Sequence, residues 1–167
     1  QNYLDSIAIQ SAKGELKWDE AHSKAANWFV AQQDEIRTSK EYEVLISQFH
    51  YTPKFYNSYA DALMQLKLYE KAKNVLLQSY AISHGAYSAK WLGILALSEN
   101  KAEEAKKWLT ESVNYDARDP QALYNLAGAF INLQDYNSAK IYLRKCLEVD
   151  AKFPGARELN SQLQNLK

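Results

Sequence analysis

A single cysteine, Cys146, stands in a chain of 167 residues. It cannot close an intrachain disulfide and has no second thiol for a structural zinc cage, so cysteine usage points to no redox compartment. Charge of one sign is missing too: lysine plus arginine number 20, and so do aspartate plus glutamate. A chain without a net field does not draw phosphate backbones or an acidic membrane surface to itself, and nucleic acid is not expected as a partner. The longest apolar run, Trp91 to Leu97, falls far short of the roughly 20 residues that cross a bilayer. No membrane insertion is expected, and a soluble chain is compatible with cytoplasm and periplasm alike. A basic start followed by an apolar stretch and a small-residue cleavage site is absent. The sequence opens on Gln1 rather than methionine, which fits either a piece of a larger protein or a processed N-terminus.

What is present is a 47% hydrophobic composition, enough to bury the core of one domain of ordinary size. That apolar content repeats. Ala72, Ala105 and Ala139 are each followed four residues later by Leu76, Leu109 and Leu143, and seven later by Ser79, Ser112 and Cys146. Upstream, Tyr59, Leu92 and Leu126 precede the small residues Ala60, Gly93 and Ala127, and then Leu63, Ala96 and Phe130. Small residues facing each other on two helices let the backbones approach while larger neighbours fill the space beside them. The prolines Pro53, Pro120 and Pro154 fall at one place in this frame, at the first turn of a helix, where a missing N–H costs nothing. Thr52 and Asp119 precede two of them as expected N-caps.

A period near 34 residues, built as helix, short turn and second helix, resembles the tetratricopeptide repeat over residues 53 to 153. Leu92-Gly93 and Ala105 keep that family's pattern in the middle unit. Ala127 replaces its glycine in the last unit, and Tyr59-Ala60 replaces the Leu-Gly pair in the first. The resemblance implies an all-α fold, a right-handed superhelical stack of antiparallel helix pairs of the α-solenoid kind. Its units would be 53–85, 86–119 and 120–153.

Residues 1–52 are expected to hold N-terminal helices and an irregular repeat. Ala25, Ala26 and Phe29 fit first-helix slots, Thr38-x-x-Glu41 reads as a capping box that opens a helix, and Tyr3, Leu4, Ile7 and Ala8 suggest a short helix ending at Gly14. At the other end, 154–167 reads as a capping helix with Ala156, Leu159, Leu163 and Leu166 on one face.

In such a stack the first helices line a concave surface. The resemblance places a peptide-binding groove on Asn57, Asp61 and Met64, then Tyr87, Lys90 and Ile94, then Tyr124, Gly128 and Asn132. All nine are expected to point away from the partner helix. Tyrosine, amide and single charges suit a protein or peptide partner, an extended segment or a helix. The co-chaperone subfamily grips a C-terminal carboxylate with lysine, asparagine and arginine. Lys90 and Asn125 fit two of those slots, but Ile94 and Leu159 stand where an asparagine and the closing arginine are needed, so a chaperone-tail receptor is not expected.

No enzyme is expected, and no cofactor or metal. His22, His50 and His84 form no metal pair at helical spacing, and neither a nucleophile elbow nor a phosphate loop nor a dinucleotide fingerprint occurs. His22 with Asp19 and Glu20 reads as a solvated polar cluster, and Cys146 as an inert core thiol. Most of the 12 tyrosines and 4 tryptophans fall at packing positions; Trp18 and Trp28 do not, and a pocket beside them is an open alternative. RNA binding would need basic side chains interleaved with stacking aromatics, and only Lys54 and Lys90 serve. The sequence also resembles, with no catalytic motif, the repeat region appended to SGNH (GDSL-type) hydrolases of some bacteria. That would make it an accessory domain covalently linked within a parent protein.

Overall fold

The computed structural model describes residues 2–164, so Gln1 and Leu166, named above, and the end of the 154–167 segment lie outside the described residues. Among those described there are ten helices and no strand: α1 Asn2–Ala12, α2 Trp18–Ala31, α3 Glu35–Gln48, α4 Pro53–Gln65, α5 Tyr69–Ile82, α6 Ala86–Ser98, α7 Ala102–Tyr115, α8 Pro120–Asn132, α9 Tyr136–Val149 and α10 Ala156–Gln164. The chain divides between residues 83 and 84 into two compact units.

The turn inside each helix pair has one conformation. Gln33, Lys67, Asn100 and Gln134, separated by 34, 33 and 34 residues, have φ of 56°, 61°, 59° and 62°. At each turn the next amide reaches back to a carbonyl five residues earlier: Asp34 to Phe29, Leu68 to Leu63, Lys101 to Ala96 and Asp135 to Phe130, at 2.8–3.0 Å. These are Schellman turns, which satisfy carbonyls left over at a helix C-terminus by letting one residue go left-handed. None of the four is glycine, so the packing of each pair holds a conformation that L-residues enter at a cost.

In the first unit α2 packs on α3, α3 on α4, α4 on α5, and α2 also approaches α4. The contact position of each pair is small and sealed: Ala26 and Thr38, then Ala60 and Ala72, all 0% exposed. Tyr42 and Tyr59 stack with ring centroids 5.2 Å apart. Residues 19–52 share the helix-pair frame of the rest, because Thr38 sits 34 residues before Ala72 and fills the same slot. The expected capping box is not there. Helix α3 starts at Glu35, with the Asp34 carboxylate accepting from the Arg37 amide, and the Thr38 hydroxyl is buried with no hydrogen-bond partner. Helix α1 ends near Gly14, whose φ is +73°.

The second unit repeats the scheme with α6 on α7, α7 on α8, α8 on α9 and α10 on α9. Gly93 is required: a Cβ there would stand 2.5 Å from Leu109 Cγ. Leu109, Leu123, Leu126 and Leu143 are fully buried, each contributing about 1.5–3 kcal/mol. Ser112 Oγ donates to the Ala86 carbonyl at 2.9 Å and Cys146 Sγ to the Pro120 carbonyl at 3.2 Å. These two residues hold equivalent positions and tie each second helix to the start of its own first helix. Pro53 and Pro120 open their helices as expected. Pro154 instead lies in the turn ahead of α10, and Thr52 makes no side-chain cap.

Candidate polypeptide-binding site

In the first unit α2 and α4 flank a cleft of about 370 Å³. Lys54, Ser58, Asp61 and Gln65 form its α4 wall, a spacing of four, three and four that puts them in one stripe. Asn27, Ser23 and Lys24 face them from α2, and Tyr42 reaches in from α3. Burial, then the nearby Asp61 carboxylate, pushes the Tyr42 hydroxyl up to about 12. It stays a proton donor and points at Asn27 Oδ1, 3.4 Å away. The cleft offers hydroxyl and amide groups among three carboxylates, Asp19, Glu20 and Asp61, and two lysines, Lys24 and Lys54, donors and acceptors that can meet main-chain N–H and C=O.

The residues expected in the groove divide into two groups. Asp61 lines the cleft. Asn132 is exposed at the end of α8, and nothing stands within 4 Å of a Cβ placed on Gly128. Met64 is half-buried on α4, and Tyr87 is half-buried with its ring 6.4 Å from that of Trp91.

The other four serve the fold. Asn57 does not point away from its partner helix: its Oδ1 accepts from the sealed Ser79 hydroxyl of α5 at 2.6 Å, because a buried hydroxyl needs an acceptor. Ile94 packs on the cluster of Ala96, Ala105 and Leu109. Lys90 Nζ donates to Asp119 Oδ2 at 2.7 Å, with the two side chains 15% and 17% exposed. Tyr124 lies over Phe153 with centroids 5.2 Å apart. Lys90 and Tyr124 are thus equivalent positions that each contact a residue of the segment leading into the next helix, Asp119 directly before α8 and Phe153 in the approach to α10.

Asp119 also caps α8, accepting from the Gln121 and Ala122 amides. Burial pulls its carboxyl upward, but the Lys90 ammonium and the two amides outweigh it and hold the group below the ordinary carboxylate range. The chaperone-tail slots are spent likewise, since Asn125 Nδ2 donates to the Gln121 carbonyl within α8.

Two side chains, His22 and Tyr69, lie differently from the sequence reading, while Cys146 is the buried thiol it was expected to be. His22 is not a solvated companion of Asp19 and Glu20; its Nδ1 lies 2.5 Å from Glu41 Oε2, and the Trp18 ring packs on it at a tilt, with centroids 4.2 Å apart. Tyr69, read as a packing aromatic, is 52% exposed. Cys146 is sealed, and burial first, then Asp150 and Asp119, push its thiol up to about 11, so thiolate chemistry is suppressed. Among the described residues no three His, Cys, Asp or Glu groups come together as a metal cage, and no helix is long and apolar enough to cross a membrane.

The sequence matches the model of the tetratricopeptide repeat over residues 53–83 and 120–153. Among solved structures, MamA from residue 41 to its end, of Desulfovibrio magneticus RS-1, has a TM-score of 0.75 at 13% identity, covering 89% of this chain and 85% of that one. YrrB, described as a TPR protein with an unusual peptide-binding site, has a TM-score of 0.73 at 12% identity, covering 96% and 82%. The first TPR domain of Spaghetti (RPAP3), bound to the HSP90 peptide SRMEEVD, has a TM-score of 0.64 at 12% identity, covering 67% and 90%. Among curated proteins none matches. The resemblance to repeat regions of SGNH/GDSL-type hydrolases gains no support from these matches, whereas the all-α solenoid class is shared with all three structures.

Proposed function

We propose that this chain, a tetratricopeptide-repeat domain and so a protein-interaction scaffold, binds polypeptide through the first helices of its units and performs no chemistry of its own. The contrast between two glycines supports this most. Gly93 is demanded by Leu109 from within the fold, but among the described residues nothing beyond its chain neighbours and its own helix backbone lies within 4 Å of a Cβ placed on Gly128. A glycine inside a helix costs about 1 kcal/mol against alanine. Where no internal neighbour requires it, a bare helix surface serves the close approach of another backbone. The polar cleft between α2 and α4 is lined by Asn27, Ser58 and Asp61.

On this reading Asp61, Met64, Tyr87, Gly128 and Asn132 contact the partner, while Asn57, Lys90, Ile94 and Tyr124 fix the helices that carry them. Lys90 and Tyr124 are therefore poor probes of binding, since changing them loosens the fold. Gly128→Arg is a better one, because the added side chain enters open space and favours the helix. Affinity capture from an extract of the source organism with wild type and this variant, read by mass spectrometry, tests the proposal. Polypeptides retained by the wild type and lost by the variant, with unchanged helicity and melting, are expected. Equal retention by both would refute a first-helix site.

A further inference from the structure

The first unit also contains a cavity of about 520 Å³ where α1, α2 and α3 meet. Its origin is visible in the repeat register. The position held by buried Tyr59, Leu92 and Leu126 in the three later pairs is Ala25 in the first, so one large side chain is missing from the core. The position of Val75, Trp108 and Tyr142 is Glu41, and that of Tyr56, Ala89 and Leu123 is His22. A plain packing defect leaves an apolar void that costs stability. Here the loss of volume coincides with two apolar positions turned into a hydrogen-bonded pair, His22 Nδ1 to Glu41 Oε2 at 2.5 Å. Local rules broken together at one place mark function more than chance.

We infer that this cavity is a binding site for a small amphiphilic amine, an aromatic or aliphatic body with a cationic head. Leu4, Ile7 and Phe29 supply apolar wall, and the volume lies within the roughly 300–1,000 Å³ of small-molecule sites. Glu41 is the only carboxylate in the lining, which holds no lysine or arginine. His22, also in the lining, holds Glu41 Oε2, so a ligand ammonium is taken by the other carboxylate oxygen, Oε1, beside the Trp18 ring, and a ligand carboxylate is disfavoured there. The site is separate from the polypeptide face: Trp18, His22, Ala25 and Phe29 form one stripe of α2, and Ser23, Lys24 and Asn27 line the cleft from another. It stands or falls without the proposal above.

The test is isothermal titration calorimetry with tryptamine, and with indole-3-propionate as a probe of similar shape and opposite charge. Ala25→Leu puts back a side chain of the size the later pairs carry and is expected to fold at least as well as wild type. Saturable one-to-one heat with tryptamine is expected, with none from indole-3-propionate. Ala25→Leu should abolish binding, and Glu41→Gln should weaken it about tenfold through loss of one charged hydrogen bond. No saturable heat with the wild type, equal binding of both probes, or an Ala25→Leu variant that binds as wild type would each overturn the inference. Should Ala25→Leu fail to fold, the Glu41→Gln variant and the charge preference still decide it.

Discussion

At equivalent places the pair α2–α3 carries Ala25, Thr38 and Glu41 where the pair α6–α7 carries Leu92, Ala105 and Trp108. Both pairs close with the same Schellman turn, around Gln33 in one and Asn100 in the other. In α6–α7 the small Ala105 is sealed and Leu109 presses on Gly93, so the two backbones come close. In α2–α3 a sealed threonine holds the small slot with its hydroxyl unpartnered, and a cavity opens beside Ala25. Helix pairing is thus set by the turn and the pair of small positions, while the large positions around them can be given up for another purpose.

The largest effect should come from overfilling the tighter pair. Ala105→Leu is expected to cost about 1–3 kcal/mol, visible as a lower urea midpoint at unchanged slope, and an unchanged midpoint would mean that the small slot is not what joins α6 to α7. Next comes the link that the second unit makes from Lys90 to the start of α8. Asp119→Ala should cost about 1–2 kcal/mol at pH 7 through loss of the cap and the ion pair.

The sign of its pH dependence follows from a carboxyl held below its ordinary value. Its contribution is complete above the unfolded value of about 3.9 and is lost as pH falls through the folded value. Chemical denaturation of wild type and variant should therefore converge in acid, and a gap that persists there would show that the charge plays no part.

Thr38→Ala turns the first pair into a copy of the third at that slot. It should raise stability by about 1 kcal/mol, because an unpartnered buried hydroxyl is removed, and the mirror change Ala105→Thr should lower it. Thermal melts that move in the same direction for both would break the comparison. Smallest is the turn itself. Gln134→Gly should raise stability by about 0.5 kcal/mol by relieving a left-handed residue, with Asn100→Gly nearer to neutral because asparagine tolerates that conformation.

The repeat could be read from the sequence where geometry leaves little choice. Ala60, Ala127, Ala72, Ala105 and Ala139 are all 0% exposed because only small side chains fit between paired backbones. The first pair was hidden by one residue of double meaning: threonine followed three residues later by glutamate is a cap signal, and Thr38 at a core slot shows the same letters. The open face was harder to read. That Asp61 and Gly128 lie off the contact with the partner helix follows from helical phase, but Asn57 lies one step from the stripe of Ser58 and turns to Ser79 instead. Neither the grip of Lys90 on Asp119 nor that of Tyr124 on Phe153 shows in local pattern, since each partner stands 29 residues further along. The His22–Glu41 pair, 19 residues apart, could have been noticed only once the register of Thr38 was known.

The most direct test of the interaction face is amide hydrogen exchange of the domain alone and with a polypeptide that it captures. Added protection is expected on the first helices, α4 from Lys54 to Gln65 and α8 around Gly128, with α5 and α9 unchanged. Protection confined to α5, α7 and α9 would contradict binding through the first helices.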